Sequence, residues 1–331
     1  MFKFLKWAIL IVVVAIVGIY LSLLRFDIPA EEVDALYSNA ESEFMVLGNG
    51  QRVHYRDEGK ADGPTLVLIH GSNASLHTWE PWVAILGDQF RIVSMDLQGH
   101  GLTGPAPDND YSADAMARLV DEVVTRLGIY RFALAGSSMG GRTSWHYAIA
   151  HPDRLNALIL VGSSGYPQDS SDNGGALVFR ILSTEWGRTL LMNLDPTMLT
   201  RGGLESAFVD DSLVTDAMVD RYVTLALREG SRDATAVRFA TPRSNEMVPR
   251  IREISTPTLV LQGDGDALVP ADHARKFDED IPDSTLIIYE NVGHIPMEEI
   301  PAQSAADVRA FLIEGLGLTD DETIDHPVRL E

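Results

Sequence analysis

The chain has 331 residues, 45% of them apolar and 22% charged, which suffices for one large domain or two small ones with a substantial core. A net charge of −22 argues against nucleic acid and anionic lipid as partners, and the lack of cysteine excludes disulfides and thiolate-held metals. The charge is uneven: Lys3, Lys6 and Arg25 are the only charged side chains before residue 26, so the rest carries 23 basic against 48 acidic residues.

Trp7–Leu24 is an apolar run of 18 residues, long enough to cross a bilayer core as a helix. Lys3 and Lys6 precede it, and Trp7 and Tyr20 lie near its ends, where interfacial aromatics belong. The run continues into Leu21, Leu23 and Leu24 with no small-residue cleavage site, so residues 1–25 read as an uncleaved signal-anchor. The two lysines place the N-terminus in the cytoplasm and the body outside it, in a periplasmic or extracytoplasmic space; Arg25 on the far flank opposes that orientation. Residues 26–41 read as a polar linker.

Beyond the linker, Phe44–Leu47 and Arg52–Arg56 flank Gly48-Asn49-Gly50, the pattern of an antiparallel hairpin. Thr65–Ile69, Arg91–Met95, Phe132–Ala135, Leu158–Val161, Thr258–Leu261 and Thr285–Tyr289 follow. Most are continuous apolar runs, suited to strands buried on both faces of a parallel sheet. Ser112–Leu127, with Ser112 as its N-cap, Met139–Ala150, Asp272–Phe277 and Ala302–Leu316 carry helical spacing. The alternation predicts a doubly wound α/β sheet, with functional groups on loops after the strand C-termini. It is interrupted from 166 to 255, where Ala176–Leu182, Leu213–Leu227 and Asp233–Phe239 are helical and no strand is evident. An insertion that long is a helical cap rather than a loop. The core is therefore split into 42–165 and 256–317, with 318–331 as a tail.

The chemistry centres on Gly136-Ser137-Ser138-Met139-Gly140, lying between an apolar run and a helical stretch. A serine on so tight a turn is held out at the top of the sheet, its small neighbours allowing the sharp bend. Serine is a poor nucleophile at neutral pH and needs a base within reach, for which imidazole is suited. His294, in a glycine-containing loop past the last apolar run, lies at the same sheet edge as Ser138. A buried carboxylate must orient that imidazole, and Asp264 and Asp266 both follow the preceding run.

Five motifs now stand in order after predicted strands. They are His70-Gly71-Ser72-Asn73, Asp96-Leu97-Gln98-Gly99-His100-Gly101, Gly136–Gly140, Gly263-Asp264-Gly265-Asp266 and Asn291-Val292-Gly293-His294. In this the chain resembles the α/β-hydrolase fold family, in its cap-bearing branch, over Phe44 to Leu316. The resemblance implies an eight-stranded, mostly parallel sheet with helices on both faces and a cap after the sixth strand. It implies Ser138 as nucleophile, His294 as base and Asp266, rather than Asp264, as the orienting acid. The alternative place for the acid, after the sixth strand, holds Ser163-Ser164-Gly165 and no carboxylate. The amides of Ser72 and Met139 would form the oxyanion hole, with the Asn73 side chain as a lesser third donor. His70 and His100 would brace loops, and His151 would close a helix.

A serine, where related dehalogenases and epoxide hydrolases carry aspartate, leaves acyl transfer to water. Hydrolysis of carboxylic esters or lactones comes first, and cleavage of C–C bonds in diketone-type substrates second. A weakly catalytic small-ligand receptor on the same fold is the rival reading. No metal or organic cofactor is implied. Phe179, Ile181, Leu182, Trp186, Leu190, Leu191, Met192 and Met198 could line an apolar pocket, so the expected partners are a small hydrophobic ester-like substrate and the membrane.

Overall fold

In the computed structural model, residues 2–167, 184, 187, 192–241 and 244–316 are described. The strands are β1 (Ser42–Val46), β2 (Arg52–Gly59), β3 (Thr65–Ile69), β4 (Arg91–Met95), β5 (Phe132–Ser137), β6 (Leu155–Val161), β7 (Thr258–Gly263) and β8 (Ser284–Tyr289). They form one sheet in the order β1-β2-β4-β3-β5-β6-β7-β8. β2 runs antiparallel to β1 and β4, and every other pairing is parallel. The hairpin at Gly48–Gly50 is present, pairing Val46 with Arg52.

Both faces of the central strands are apolar, which is why their sequences read as unbroken hydrophobic runs. Alternation sends Val67 and Ile69 to one side of β3 and Leu66 and Leu68 to the other. On the first side pack α4 (Ala113–Arg126), α5 (Met139–Ala150) and α9 (Ala271–Asp280), through Val120, Trp145 and Phe277. On the second pack α3 (Glu80–Leu86) and α10 (Pro301–Leu316), through Trp82 and Leu312. The Trp82 indole donates to Ser304 Oγ at 2.9 Å, so the one polar atom of that buried ring is satisfied. Ser112 caps α4 as predicted, its hydroxyl accepting from the Ala115 amide at 3.2 Å.

Between β6 and β7 the described residues form α6 (Thr197–Glu205), α7 (Asp216–Ala226) and α8 (Ser231–Ala240). Of the residues named for an apolar pocket, Phe179, Ile181, Leu182, Trp186, Leu190 and Leu191 lie outside the described residues, as do the predicted helix 176–182 and the tail 318–331. Met198 is 87% exposed, so it lines no pocket.

The N-terminal helix α1 (Phe2–Ser22) has a span, Phe4–Ser22, with mean hydropathy 2.6 and none of it buried. At 1.5 Å per residue its 19 residues reach about 28 Å, long enough for a bilayer core. The stretch read as a linker is packed rather than loose. Helix α2 (Ala30–Tyr37) buries Val33 completely against Leu102 and Leu225, and Asp34 pairs with Arg52 at 2.8 Å and Arg228 at 2.9 Å.

Under the loop that follows β3, His77 is buried with Arg56 Nη2 3.1 Å from its Nε2 and Ser75 Oγ 2.9 Å from its Nδ1. Arginine only donates, so Nε2 accepts and the ring is neutral. Burial, with Arg56 adding to it against the pull of Asp96, pushes the His77 pKa down to about 4. An unfolded histidine titrates near 6.5, so the unfolded chain binds more protons between those values and stability falls as pH drops through that window. Urea midpoints are expected to rise from pH 4 to 6.5, and His77→Gln to flatten part of that slope.

Candidate active site

Ser138 joins β5 to α5 with φ 54° and ψ −112°, a conformation that L-residues rarely adopt. Such a residue costs about 1–3 kcal/mol and persists only when its surroundings over-determine it. They do so here. The Ser138 amide donates to Val161 O at 2.9 Å, and its carbonyl accepts from the amides of Arg142 at 3.0 Å and Ser164 at 3.2 Å. Gly140 lets the first turn of α5 sit directly on the end of β3: a Cβ there would lie 2.3 Å from Ile69 O and 2.4 Å from His70 O.

His294 and Asp266 face each other across 2.7 Å, Nδ1 to Oδ2, both side chains nearly inaccessible. Asp266 Oδ1 accepts from the amides of Leu268 and Val269, each at 2.8 Å, and Oδ2 also accepts from Gln262 Nε2 at 2.8 Å. Burial works to raise the Asp266 carboxyl. The His294 hydrogen bond and charge, with the two amides, outweigh it and hold the group below the usual carboxylate range. An ionised Asp266 accepts a hydrogen bond from Nδ1–H, which leaves Nε2 as the nitrogen without a proton. Asp264 turns elsewhere, its Oδ1 accepting from the Asn291 amide at 2.7 Å. The two aspartates that sequence spacing left in competition thus have separate tasks.

One dipeptide brings the Ser138 turn and the His294 imidazole together. Val161 accepts the Ser138 amide, and the next residue, Gly162, lies against His294, where a Cβ would come within 3.0 Å of Nδ1. The insertion also holds the imidazole's loop: Ala207 O accepts the His294 amide at 2.7 Å. Glu299 takes the amides of Gly293 at 2.6 Å, Val209 at 2.9 Å and Asp210 at 3.1 Å.

Gly71 abuts the serine, since a Cβ on it would lie 3.2 Å from Ser138 Cβ. This sets the loop carrying Ser72 beside Met139, the first residue of α5, whose amide has no partner within the helix. His70 holds that loop, with Nδ1 donating to Gly71 O at 2.7 Å and Nε2 accepting from the Leu97 amide at 3.0 Å. His100 packs its ring 5.0 Å from His70 and donates to Gln98 O at 3.0 Å. Burial, and secondarily the Arg238 charge, pushes the His100 pKa well below its ordinary value.

Arg238 is the residue that sequence reasoning missed. From α8 it donates to Ser72 Oγ and, at 2.6 Å, to Asn73 Oδ1, and it lies 3.9 Å from Met139 Sδ. It therefore touches both segments whose amides were predicted to hold an oxyanion, and it occupies the Asn73 side chain. No local pattern distinguishes it from Arg221, Arg228 or Arg232 on the same insertion. Among the described residues no group of three or more His, Asp or Glu is placed to hold a metal.

A family profile described as alpha/beta hydrolase fold matches residues 64–301. The chain belongs to that family. Among curated relatives of this hydrolase, the 2-hydroxy-6-oxo-6-(2'-aminophenyl)hexa-2,4-dienoic acid hydrolase of Metapseudomonas resinovorans is 28% identical over 298 residues, covering 88% of this chain and 97% of the relative. The enol-lactonase of Burkholderia xenovorans LB400 superposes with a TM-score of 0.68 at 25% identity, over 82% of this chain and 99% of its own. A membrane phospholipase A, described as a bacterial virulence factor, gives a TM-score of 0.68 at 24% identity over 96% of this chain and 99% of its own. That coverage leaves out fewer residues than α1 contains, so the likeness of fold reaches into the N-terminal helix.

The contact at Gly140 is backbone against backbone and has no flexible end to give way. Gly140→Ala is expected to cost about 1–3 kcal/mol or more through overpacking, read as a lowered urea midpoint.

Proposed function

We propose that this hydrolase cleaves a carbon–carbon bond next to a ketone through a serine-bound acyl intermediate. The observation that carries this is the 2.7 Å Asp266–His294 pair, tied through Val161-Gly162 to the strained Ser138 turn. The choice of C–C over other acyl bonds is supported by the near full-length likeness to the Metapseudomonas dienoic acid hydrolase.

In this reading Ser138 Oγ attacks the ketone carbon while His294 Nε2 takes its proton. The negative charge arising on the ketone oxygen meets the amides of Ser72 and Met139. The C–C bond then breaks, its electron pair passing to the departing carbon fragment, which is protonated by the His294 imidazolium. Water, deprotonated by the same imidazole, attacks the acyl-serine and releases the carboxylic acid and the serine. Asp266 stays ionised throughout and fixes the imidazole tautomer.

A second reading is hydrolysis of a carboxylic ester or lactone, favoured by the likeness to the enol-lactonase. It uses the same groups and differs only in the leaving atom, oxygen instead of carbon. Steady-state turnover of a vinylogous diketone acid, a lactone and a p-nitrophenyl ester, each at matched concentration, decides between the two. A kcat/KM highest for the diketone acid is the expected result, and one highest for an ester or lactone would overturn the first reading.

Ser138→Ala is expected to abolish turnover of every substrate in that panel. Asp266→Asn should lower kcat by about 10³–10⁴-fold through the wrong imidazole tautomer. Asp264→Asn, whose carboxylate accepts from the Asn291 amide, should leave kcat within about tenfold, a difference of about 1.4 kcal/mol. Equal losses in the two variants would reverse the assignment of the acid.

Arg238 beside the oxyanion loop suits a carboxylate on the substrate, as in the acid named for the relative. Arg238→Met is expected to raise KM for a diketone acid by at least about tenfold, the loss of one charged hydrogen bond, and to raise it less for a neutral ester. Equal shifts for the two substrates would remove Arg238 from substrate recognition.

A further inference from the structure

The connection between α1 and the body is stapled to the inserted helices, not to the sheet. Leu24 bridges antiparallel to Leu194: the Arg25 amide donates to Asn193 O at 2.7 Å and the Asp195 amide to Leu23 O at 2.8 Å. Ile28 bridges parallel to Arg228, its amide donating to Leu227 O at 2.8 Å and its carbonyl accepting from Glu229 at 2.9 Å. Side chains close the gaps between these bridges. Arg25 reaches Asp195 at 3.3 Å, and Arg232 reaches Arg25 O at 2.9 Å and Asp27 at 2.6 Å.

Two main-chain bridges within six residues leave no room for a swinging tether. Whatever lies near residues 193–199 therefore stays near the end of α1. What lies there is apolar and uncovered. Met198 is 87% exposed and Leu199 73%, at the start of α6, whose buried residue is Leu204; Phe26 on the connection is 69% exposed. Met198 and Leu199 follow Asp195 by three and four residues, at most about 15 Å of chain from the last turn of α1. The polar layer on each side of a bilayer core is about 5–7 Å deep, and the Asp195–Leu23 main-chain bond starts this stretch of chain at its inner edge, directly beside the end of α1.

We infer that the α6 face formed by Met198 and Leu199, with Phe26, rests in the headgroup layer of a lipid bilayer, so that the inserted helices are the membrane-facing side of the molecule. The inference rests on α1 being a membrane helix. Continuity with that helix argues for lipid as the occupant. The acidic body argues for a zwitterionic surface, since it is repelled by an anionic one.

The chain has no cysteine, so single probes can be placed directly in the full-length protein. Met198→Cys, Leu199→Cys, Ile11→Cys in α1, and Tyr130→Cys, 77% exposed at the opposite end of the sheet, would each carry an environment-sensitive fluorophore. They would be measured in phosphatidylcholine vesicles with and without doxyl quenchers, one placed near the headgroups and one deep in the acyl chains. Loss of fluorescence at 11 with the deep quencher and at 198 and 199 with the shallow one, with none at 130, is the expected result. Quenching at 11 while 198 and 199 behave as 130 does would overturn the surface and leave the anchor standing. No quenching at 11 would remove the anchor and the surface with it. Fluorophore pairing between two Met198→Cys chains without lipid quenching would make a second copy the occupant, and would overturn the inference.

Discussion

Everything at this site depends on one reversal of the main chain, the step from β5 into α5 at Ser138. A non-glycine residue at φ 54° is unfavourable by itself, and the neighbouring segments are shaped around keeping it there. β3 ends so that its carbonyls meet Gly140, and β6 ends so that Val161 takes the serine's amide. The glycines at 140 and 162 are two of the places where another segment comes too close for a Cβ, and Gly71 sits nearly as tight against the serine. Because Gly162 is also the floor for His294, the strain at the serine and the position of the imidazole are parts of one packing problem.

The protein contains two buried aspartates solved in the same way and used differently. Asp96 accepts from the amides of Leu76 and Leu102, both at 2.8 Å, and faces His54 Nδ1 at 2.7 Å. Asp266 accepts from two amides and faces His294 Nδ1 at the same distance. In both, burial opposes the charge, and the hydrogen bonds to imidazole outweigh it and keep the carboxyl ionised. The difference lies beyond the pair. The other nitrogen of His54 meets Ser42 Oγ at 3.0 Å, in a bracing role, whereas His294 lies against Gly162, next to the residue that accepts the Ser138 amide. A carboxylate–imidazole pair is therefore no signature of catalysis until its third member is known.

Sequence alone revealed the sheet well, because strands buried on both faces must be continuous runs such as Leu158–Val161, and such runs have few other readings. It revealed less of the short helices. Glu80–Leu86 has seven residues and Ala30–Tyr37 eight, too few for periodicity to stand out, and Thr197–Glu205 contains two adjacent glycines. Ser138, Asp266 and His294 could be proposed from sequence because each follows a recognisable strand, although only hydrogen bonding separates Asp266 from Asp264. Arg238 was not legible. Its partners Ser72 and Asn73 are 166 and 165 residues away, and nothing local in its helix encodes a contact of that range.

The short-range staples on residues 23–28 bear on where this chain can be shortened. A water-soluble version that begins at residue 26 discards the Leu23 carbonyl and the Arg25 amide. Asp195 and Asn193 then lose their main-chain partners, and a frayed seam opens along the inserted helices. Beginning at Leu23 removes nearly all of the greasy helix yet keeps both bridges. The boundary between the long apolar helix and the part held by main-chain bonds to the inserted segment thus falls between Ser22 and Leu23, and protein production would do well to respect it.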